Sequence, residues 1–296
     1  IDSAQAIKEI GSDLGKDISL SVSSTNGSNE KYYVVHSVTS ESKDQLDADI
    51  IYIGSSATVD HVDNLRRIIS GYLQSAYHYS EKDANTLAVF ITVYNAVYRG
   101  KLDTFKSKYT EDVVKNLSSE NCGLSTNYKD WPGKSEIVIP LFDVKNGGLS
   151  TVDTSVIADS KVVDSMQEDE DRNIDSRKDM VDLKEREADE SSEKAQEAQK
   201  EAVQEQKVLN ETKKEAEEAK KEAEEAKKEA EEAKKVAEEN PNDKKAQETA
   251  KEAEKKAEEA TAKAEEKQQQ VEEQQKKTDD AKEAAKEAQE IADKKQ

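Results

Sequence analysis

A single cysteine, Cys122, occurs in the 296 residues, so the chain closes no internal disulfide, and one thiol is silent on compartment. No apolar run approaches the roughly 20 residues that a membrane-spanning helix requires. Aromatic residues are scarce and unevenly placed. All fourteen Phe, Trp and Tyr lie between Tyr32 and Phe142, which divides the chain into one globular domain and a long polar extension. Basic residues are outnumbered, 45 Lys and Arg against 66 Asp and Glu, for a net charge of −21. That balance argues against nucleic acid and anionic membrane surfaces as partners. Residue 1 is Ile rather than Met, which reads as a processed or trimmed start with any export signal removed.

Within the extension, the stretch Lys213–Asn240 reads KKEAEEA three times and then KKVAEEN. Ala216, Ala219, Ala223, Ala226, Ala230, Ala233 and Ala237 fall at alternating steps of three and four, the spacing of a coiled-coil seam. Asn240-Pro241 interrupts the series. Ala246, Ala250, Ala253, Ala257, Ala260 and Ala264 restart it on the far side. Pairing outward from the break matches Ala237 with Ala246, Ala230 with Ala253 and Ala226 with Ala257, and the two numbers of each layer add to 483. Two antiparallel helices folded at Asn240 and Pro241 bring these layers together, with Asn240 as N-cap and Pro241 as first helical residue.

Each buried alanine methyl contributes only about 0.8 kcal/mol. Stability must therefore come from many layers, close approach and the helix propensity of Ala, Glu and Lys. Glu217–Lys221, Glu224–Lys228 and Glu231–Lys235 add i,i+4 pairs in the better orientation. An intramolecular hairpin is favoured over parallel self-association or a solvated single helix. An arm of about 50 residues would extend roughly 75 Å.

Residues 1–29 read as a flexible lead-in, with a short helix near Ala4–Leu14 and at most a strand at Ile18–Val22. Tyr32–Val38 and Ala48–Ile53 are β-branched and aromatic, and read as strands. Thr58 can cap a helix over about Val59–Tyr79. Ser80 with Asp83 resembles a capping box opening a second, more apolar helix over Glu81–Arg99. A third helix spans about Asp103–Leu117. Glu136–Phe142 reads as a strand that Pro140 places at an edge. The predicted architecture is an α+β, or small α/β, globular domain over 30–150 and an acidic linker with a weak helix over 151–175. Long coiled-coil helices over 176–240 and 241–296 then form the antiparallel hairpin.

Several runs carry a resemblance. Tyr52-Ile-Gly-Ser55, Asn64-Leu-Arg-Arg-Ile68, Gly71-Tyr-Leu73, Tyr94-Asn-Ala-Val-Tyr-Arg-Gly100 and Leu117-Ser-Ser-Glu-Asn121 with Gly123-Leu-Ser125 resemble the p83/100 antigen family of spirochaetes. Trp131, Gly133-Lys134 and Ile139-Pro-Leu141 extend the match, which covers about 50–142. The resemblance implies export to the periplasm or cell envelope, an immunogenic protein, and no established enzyme activity. Longer members carry a further C-terminal β-rich domain that is not in this sequence. No functional residue is transferred by the resemblance.

No catalytic, cofactor-binding or metal-ligating residue is assigned. Gly133-Lys-Ser135 lacks the upstream glycine of a phosphate loop, Tyr128 standing there, and it precedes a strand. His36, His61 and His78 are too dispersed for a metal motif, although His61 lies near Asp60 and Asp63. No Gly-x-Ser-x-Gly elbow occurs. Asn64, Arg66, Asn95 and Arg99 form the candidate polar or anion-binding group, Asn95 and Arg99 being one helical turn apart and able to face the other two across a helix pair. The reading is a non-enzymatic envelope protein that meets a protein partner through its arm. A small-ligand or anion-binding head is the alternative, and a hydrolase using Cys122 or a serine is the remote one.

Overall fold

The computed structural model describes every residue except 1–2, 28–29, 40–43, 58, 126–132, 146 and 169–170. Thr58, Tyr128, Trp131 and the last two residues of the 1–29 lead-in thus lie outside the described residues. The chain separates into two compact units, Ile1–Asp189 and Glu190–Gln296, called the head and the arm.

The head is α+β, built on a four-stranded antiparallel sheet in the order β1 (Ser24–Asn26), β2 (Tyr32–Ser37), β3 (Asp47–Ile53), β4 (Ser135–Leu141). Alternation sends Val34, Ile51 and Ile137 to the same face in one register line, with His36, Asp49 and Ile139 two residues along. Pro140 sits on β4, an edge strand, as its missing N–H requires. The expected strand at Ile18–Val22 is not formed. The ladder uses the polar Ser24–Asn26 instead, because those residues pair with Val34–His36 of β2.

Helix α1 (Ala4–Gly15) packs along α2 (Val62–Tyr77), so this part of the expected flexible lead-in is docked structure. The crossing is close enough that a Cβ on Gly11 would stand 1.8 Å from the Ile68 carbonyl oxygen. Helix α2 starts at Val62, capped by His61, whose Nδ1 accepts from the Asp63 N–H. It buries Leu65, Ile69 and Tyr72 completely, the face that the sequence predicts. Helix α3 (Glu81–Val97), capped by Ser80 through the Asp83 N–H, is the central buried helix.

The expected third helix is two: α4 (Leu102–Lys108) and α5 (Glu111–Val114). The break lies at Tyr109–Thr110, where the Thr110 N–H donates to Leu46 O at 3.1 Å and Leu46 N–H donates to Lys108 O at 2.9 Å. Bonding to the chain ahead of β3 outcompetes helix continuation there.

The stretch expected as an acidic linker folds as α6 (Thr154–Ile157) and α7 (Ser160–Ser165), capped by Asp153 and Asp159. Val152, Ile157 and Val162 are fully buried in the head core, so the globular unit does not end at residue 150. Helix α8 (Asn173–Glu239) contributes its first residues to the head, burying Met180 and Leu183.

In the arm, α8 and α9 (Lys244–Lys295) form the expected hairpin. The expected cap is displaced. Asp243, not Asn240, accepts from the Lys245 and Ala246 N–H groups, while Asn240 turns its side-chain amide back onto Val236 O at 2.9 Å. Pro241 therefore lies in the turn rather than in the first turn of the helix.

Candidate functional site

The four residues of the predicted polar group do not converge. Asn64 holds Asp60 and accepts from Arg67 Nη1 at 2.7 Å. Arg66 crosses to α3, where its Nε donates to Thr92 Oγ1 at 3.0 Å, and its Nη2 pairs with Asp171 at 2.7 Å. Both members of that ion pair are nearly buried, so the guanidinium ties the segment ahead of α8 to the α2–α3 pair. An open groove of about 700 Å³ beside it is lined by Asp63, Arg67, Lys82 and Arg172 among others. Lys82 is answered by Asp179 at 3.2 Å and Arg172 by Asp175 at 3.6 Å, while Arg67 donates to the neutral Asn64 amide. Two of the groove's cations are thus already paired with carboxylates.

Asn95 and Arg99 do act together, in a structural task. Asn95, fully buried, donates from Nδ2 to Val138 O and accepts the Val138 N–H on Oδ1, both at 2.8 Å. Its amide continues the sheet ladder beyond β4. Arg99 Nη1 donates to the carbonyls of Asn121, Gly123 and Lys134 at 3.0, 2.9 and 3.1 Å, gathering the loop that precedes β4. Gly123 is required here: its φ is +82°, and a Cβ would meet Asn95 O at 2.5 Å.

The other sequence candidates fall into place similarly. Gly133 adopts φ +63° and Ser135 opens β4, so Gly133-Lys-Ser135 is a turn into a strand. Cys122 is wholly buried, and that burial pushes its thiol up rather than activating it. Among the described residues, no three His, Cys, Asp or Glu come together as metal ligands.

One cluster escapes the sequence reading altogether. His36 and Asp49 are directly opposed on β2 and β3, and His36 Nδ1 meets Asp49 Oδ1 at 2.6 Å. Tyr72 OH donates to Asp49 Oδ2 at 2.6 Å, and Tyr77 OH donates to the same oxygen. All four side chains are buried. Burial alone would lower the His36 pKa, but the Asp49 hydrogen bond and charge outweigh it and hold the imidazole above its ordinary value. An enclosed cluster of this kind orders a core, although it leaves His36 Nε2 buried without a hydrogen-bond partner. Its only sequence signal is a lone His and Asp at positions that β-pairing happens to align.

The arm presents a different surface. Ala216, Ala219, Ala223, Ala226 and Ala230 are buried along the seam, as are Ala250 and Ala257, while Ala233, Ala246, Ala253, Ala260 and Ala264 are half-buried. Ala226, Ala230 and Ala257 form one cluster with Ala253 and Ala260 against it. Val271 packs with Leu209 and Ala216. Across the seam Glu229 meets Lys256 at 3.2 Å, Glu222 meets Lys263 at 3.0 Å and Glu215 meets Lys267 at 2.7 Å. These cross-helix pairs use Glu215, Glu222 and Glu229, none of them a glutamate of the expected i,i+4 pairs. Among the described residues Glu217–Lys221, Glu224–Lys228 and Glu231–Lys235 are not within ion-pair distance.

A family model described as Borrelia P83/100 protein matches residues 1–296, the whole chain. The chain belongs to this family. Comparison with curated proteins and with solved structures gives no match. The resemblance carried by residues 50–142 thus extends over the head and the arm alike. Asn95, Arg99 and Gly123, which lie in the runs that carried it, are in this P83/100 chain the groups that fasten the pre-β4 loop to α3. No helix of the chain, among the described residues, is long and apolar enough to cross a membrane.

Proposed function

We propose that this P83/100 family member is a non-enzymatic, exported component of the cell envelope, periplasmic or surface-associated, that engages a protein partner through its arm. The observation that carries the reading is the helical hairpin. Its seam is closed by side chains too small to project, so each long flank presents ordered rows of Glu and Lys to the surroundings. Such a surface suits a polar protein partner better than a lipid or a small apolar ligand. The commitment of Arg66 and Arg99 to internal partners weighs against an anion-binding head. The burial of Cys122 weighs against a thiol nucleophile.

The test is capture from envelope extracts. The intact chain is compared with a variant in which the exposed Glu and Lys of 213–239 are exchanged in sign, leaving every seam alanine in place. Retention of a defined envelope protein by the intact chain and its loss with the exchanged arm supports the reading. Equal capture by both contradicts it. Labelling of the intact chain by serine- or cysteine-directed hydrolase probes would contradict its non-enzymatic part.

A further inference from the structure

We propose that Asn26-Gly27 is a covalent modification site, held unreacted by the docked α1, and that its conversion to aspartate or isoaspartate releases the C-terminal end of that helix. Asparagine followed by glycine is open to this chemistry because glycine sets no side chain in the path of ring closure. The Gly27 backbone nitrogen attacks the Asn26 carboxamide carbon and forms a five-membered imide. The carboxamide nitrogen leaves as ammonia, taking the Gly27 N–H proton. Water then opens the imide at either carbonyl, giving aspartate or isoaspartate. Water is the only other reactant.

The chain contains two such steps, Asn26-Gly27 and Asn146-Gly147. The first is tied to α1. Asn26 Nδ2 donates to Lys16 O at 2.8 Å, Leu14 O at 3.0 Å and Asp13 O at 3.4 Å, carbonyls that the end of a helix leaves without partners of its own. Asn26 Oδ1 accepts the Gly27 N–H at 2.8 Å. Attack requires the carboxamide to turn its carbon rather than its oxygen towards that nitrogen, and the rotation breaks these bonds. Gly27 stands at φ +92°, where a Cβ would lie 2.8 Å from Leu14 Cδ2, so the buried Leu14 of α1 rests on the reacting step.

The product cannot restore the tie. A carboxylate has no hydrogen to offer the three carbonyls, and it sets a negative charge against their oxygens. Isoaspartate in addition inserts a methylene into the backbone at the last β1 pair, Asn26 opposite Val34. Refolding does not reverse either change, so the docking of α1 falls with the age of the molecule.

Ageing the full-length protein in mildly alkaline buffer, with and without urea, tests this, the two Asn-Gly peptides being followed by mass spectrometry. Folding should slow conversion at Asn26 at least about tenfold, since only the locally opened fraction reacts. Gly11→Ala, which crowds the Ile68 carbonyl oxygen and loosens α1, should speed conversion at Asn26 at least about threefold and leave Asn146 unchanged. In the aged parent, the fraction of molecules with fast amide hydrogen exchange over the last turn of α1 should equal the fraction converted at Asn26. Asn26→Asp should show that fast exchange in every molecule. Equal rates at Asn26 with and without urea overturn the proposal. So does a Gly11→Ala rate at Asn26 that is unchanged, or raised no more than at Asn146, and so does slow α1 exchange in the converted parent.

Discussion

Replacing Asp49 by alanine removes the acceptor shared by His36, Tyr72 and Tyr77, all of them buried. Breaking a buried ion pair by deleting one partner costs about 3–5 kcal/mol. A buried tyrosine hydroxyl left without an acceptor adds about 1–3 kcal/mol. Tyr77 OH lies 3.3 Å from His36 Nδ1 and can re-pair with it, so one unsatisfied hydroxyl rather than two is the reasonable count. The expected loss is therefore about 4–8 kcal/mol, comparable with the whole stability of an ordinary domain.

The sign of the pH dependence follows from His36. Its folded pKa is raised, so its contribution is complete below its unfolded value, about 6.5, and is lost as pH rises through the folded value. The Asp49→Ala deficit should be largest near pH 6 and shrink in alkali. Urea denaturation followed by near-ultraviolet circular dichroism of the tyrosines reads the head without the signal of the arm. A loss below about 1 kcal/mol at pH 6, or a deficit that grows with pH, would refute the reasoning.

Gly11→Ala drives a methyl into the Ile68 carbonyl, so α1 should lift from α2, exposing Leu14 at a cost of about 1–3 kcal/mol; amide hydrogen exchange should accelerate across α1. Burial pushes Asp47 up to about 6, against the opposing Thr39 N–H bond, so its ionisation destabilises the head as pH rises through that value. Asp47→Asn should raise the melting temperature at pH 7.5 and leave it unchanged below pH 4. Arg186 is bidentate to Asp83, a nearly buried carboxylate at the start of α3. Burial raises the Asp83 pKa, but the Arg186 and Ser80 bonds outweigh it and leave it lowered, so the stability they supply is present above about pH 4 and fades in acid. Arg186→Ala should cost about 1–3 kcal/mol at pH 7 and less in acid, read by urea titration at the two pH values.

The hairpin was legible because one residue type repeats at one spacing over many turns, and the same regularity exposed the break at Asn240-Pro241. The long apolar helices and the three hydrophobic strands were legible for the same reason. What failed was decided by partners distant in sequence. Ser24–Asn26 looks like a loop until β2 offers it a ladder. Val152, Ile157 and Val162 are too sparse among polar neighbours to signal a core, and they become one only where α3 and the sheet supply the other wall. The helix over Asp103–Leu117 was cut by hydrogen bonds to Leu46, about sixty residues earlier.

Local spacing placed Asn95 and Arg99 on one face correctly, yet spacing carries no information about what that face meets. It met backbone carbonyls and β4 rather than Asn64 and Arg66. The His36–Asp49 cluster needed the β2–β3 register, which the loop between the strands does not disclose. Asn240 is a sound cap by type, but Asp243 won the position, as the observed layers require.

The central claim is that the polar half of the chain returns on itself as one intramolecular hairpin. Spin labels at Glu197 and Glu287, exposed positions on α8 and α9, measure it directly by pulsed electron resonance in the presence of excess unlabelled chain. The account predicts a separation of about 15–25 Å that survives this dilution, since packed helices lie 8–10 Å apart between axes. A continuous rod would place the labels about 135 Å apart at 1.5 Å per residue. A signal with no short distance, or a short distance that vanishes on dilution, would contradict the account.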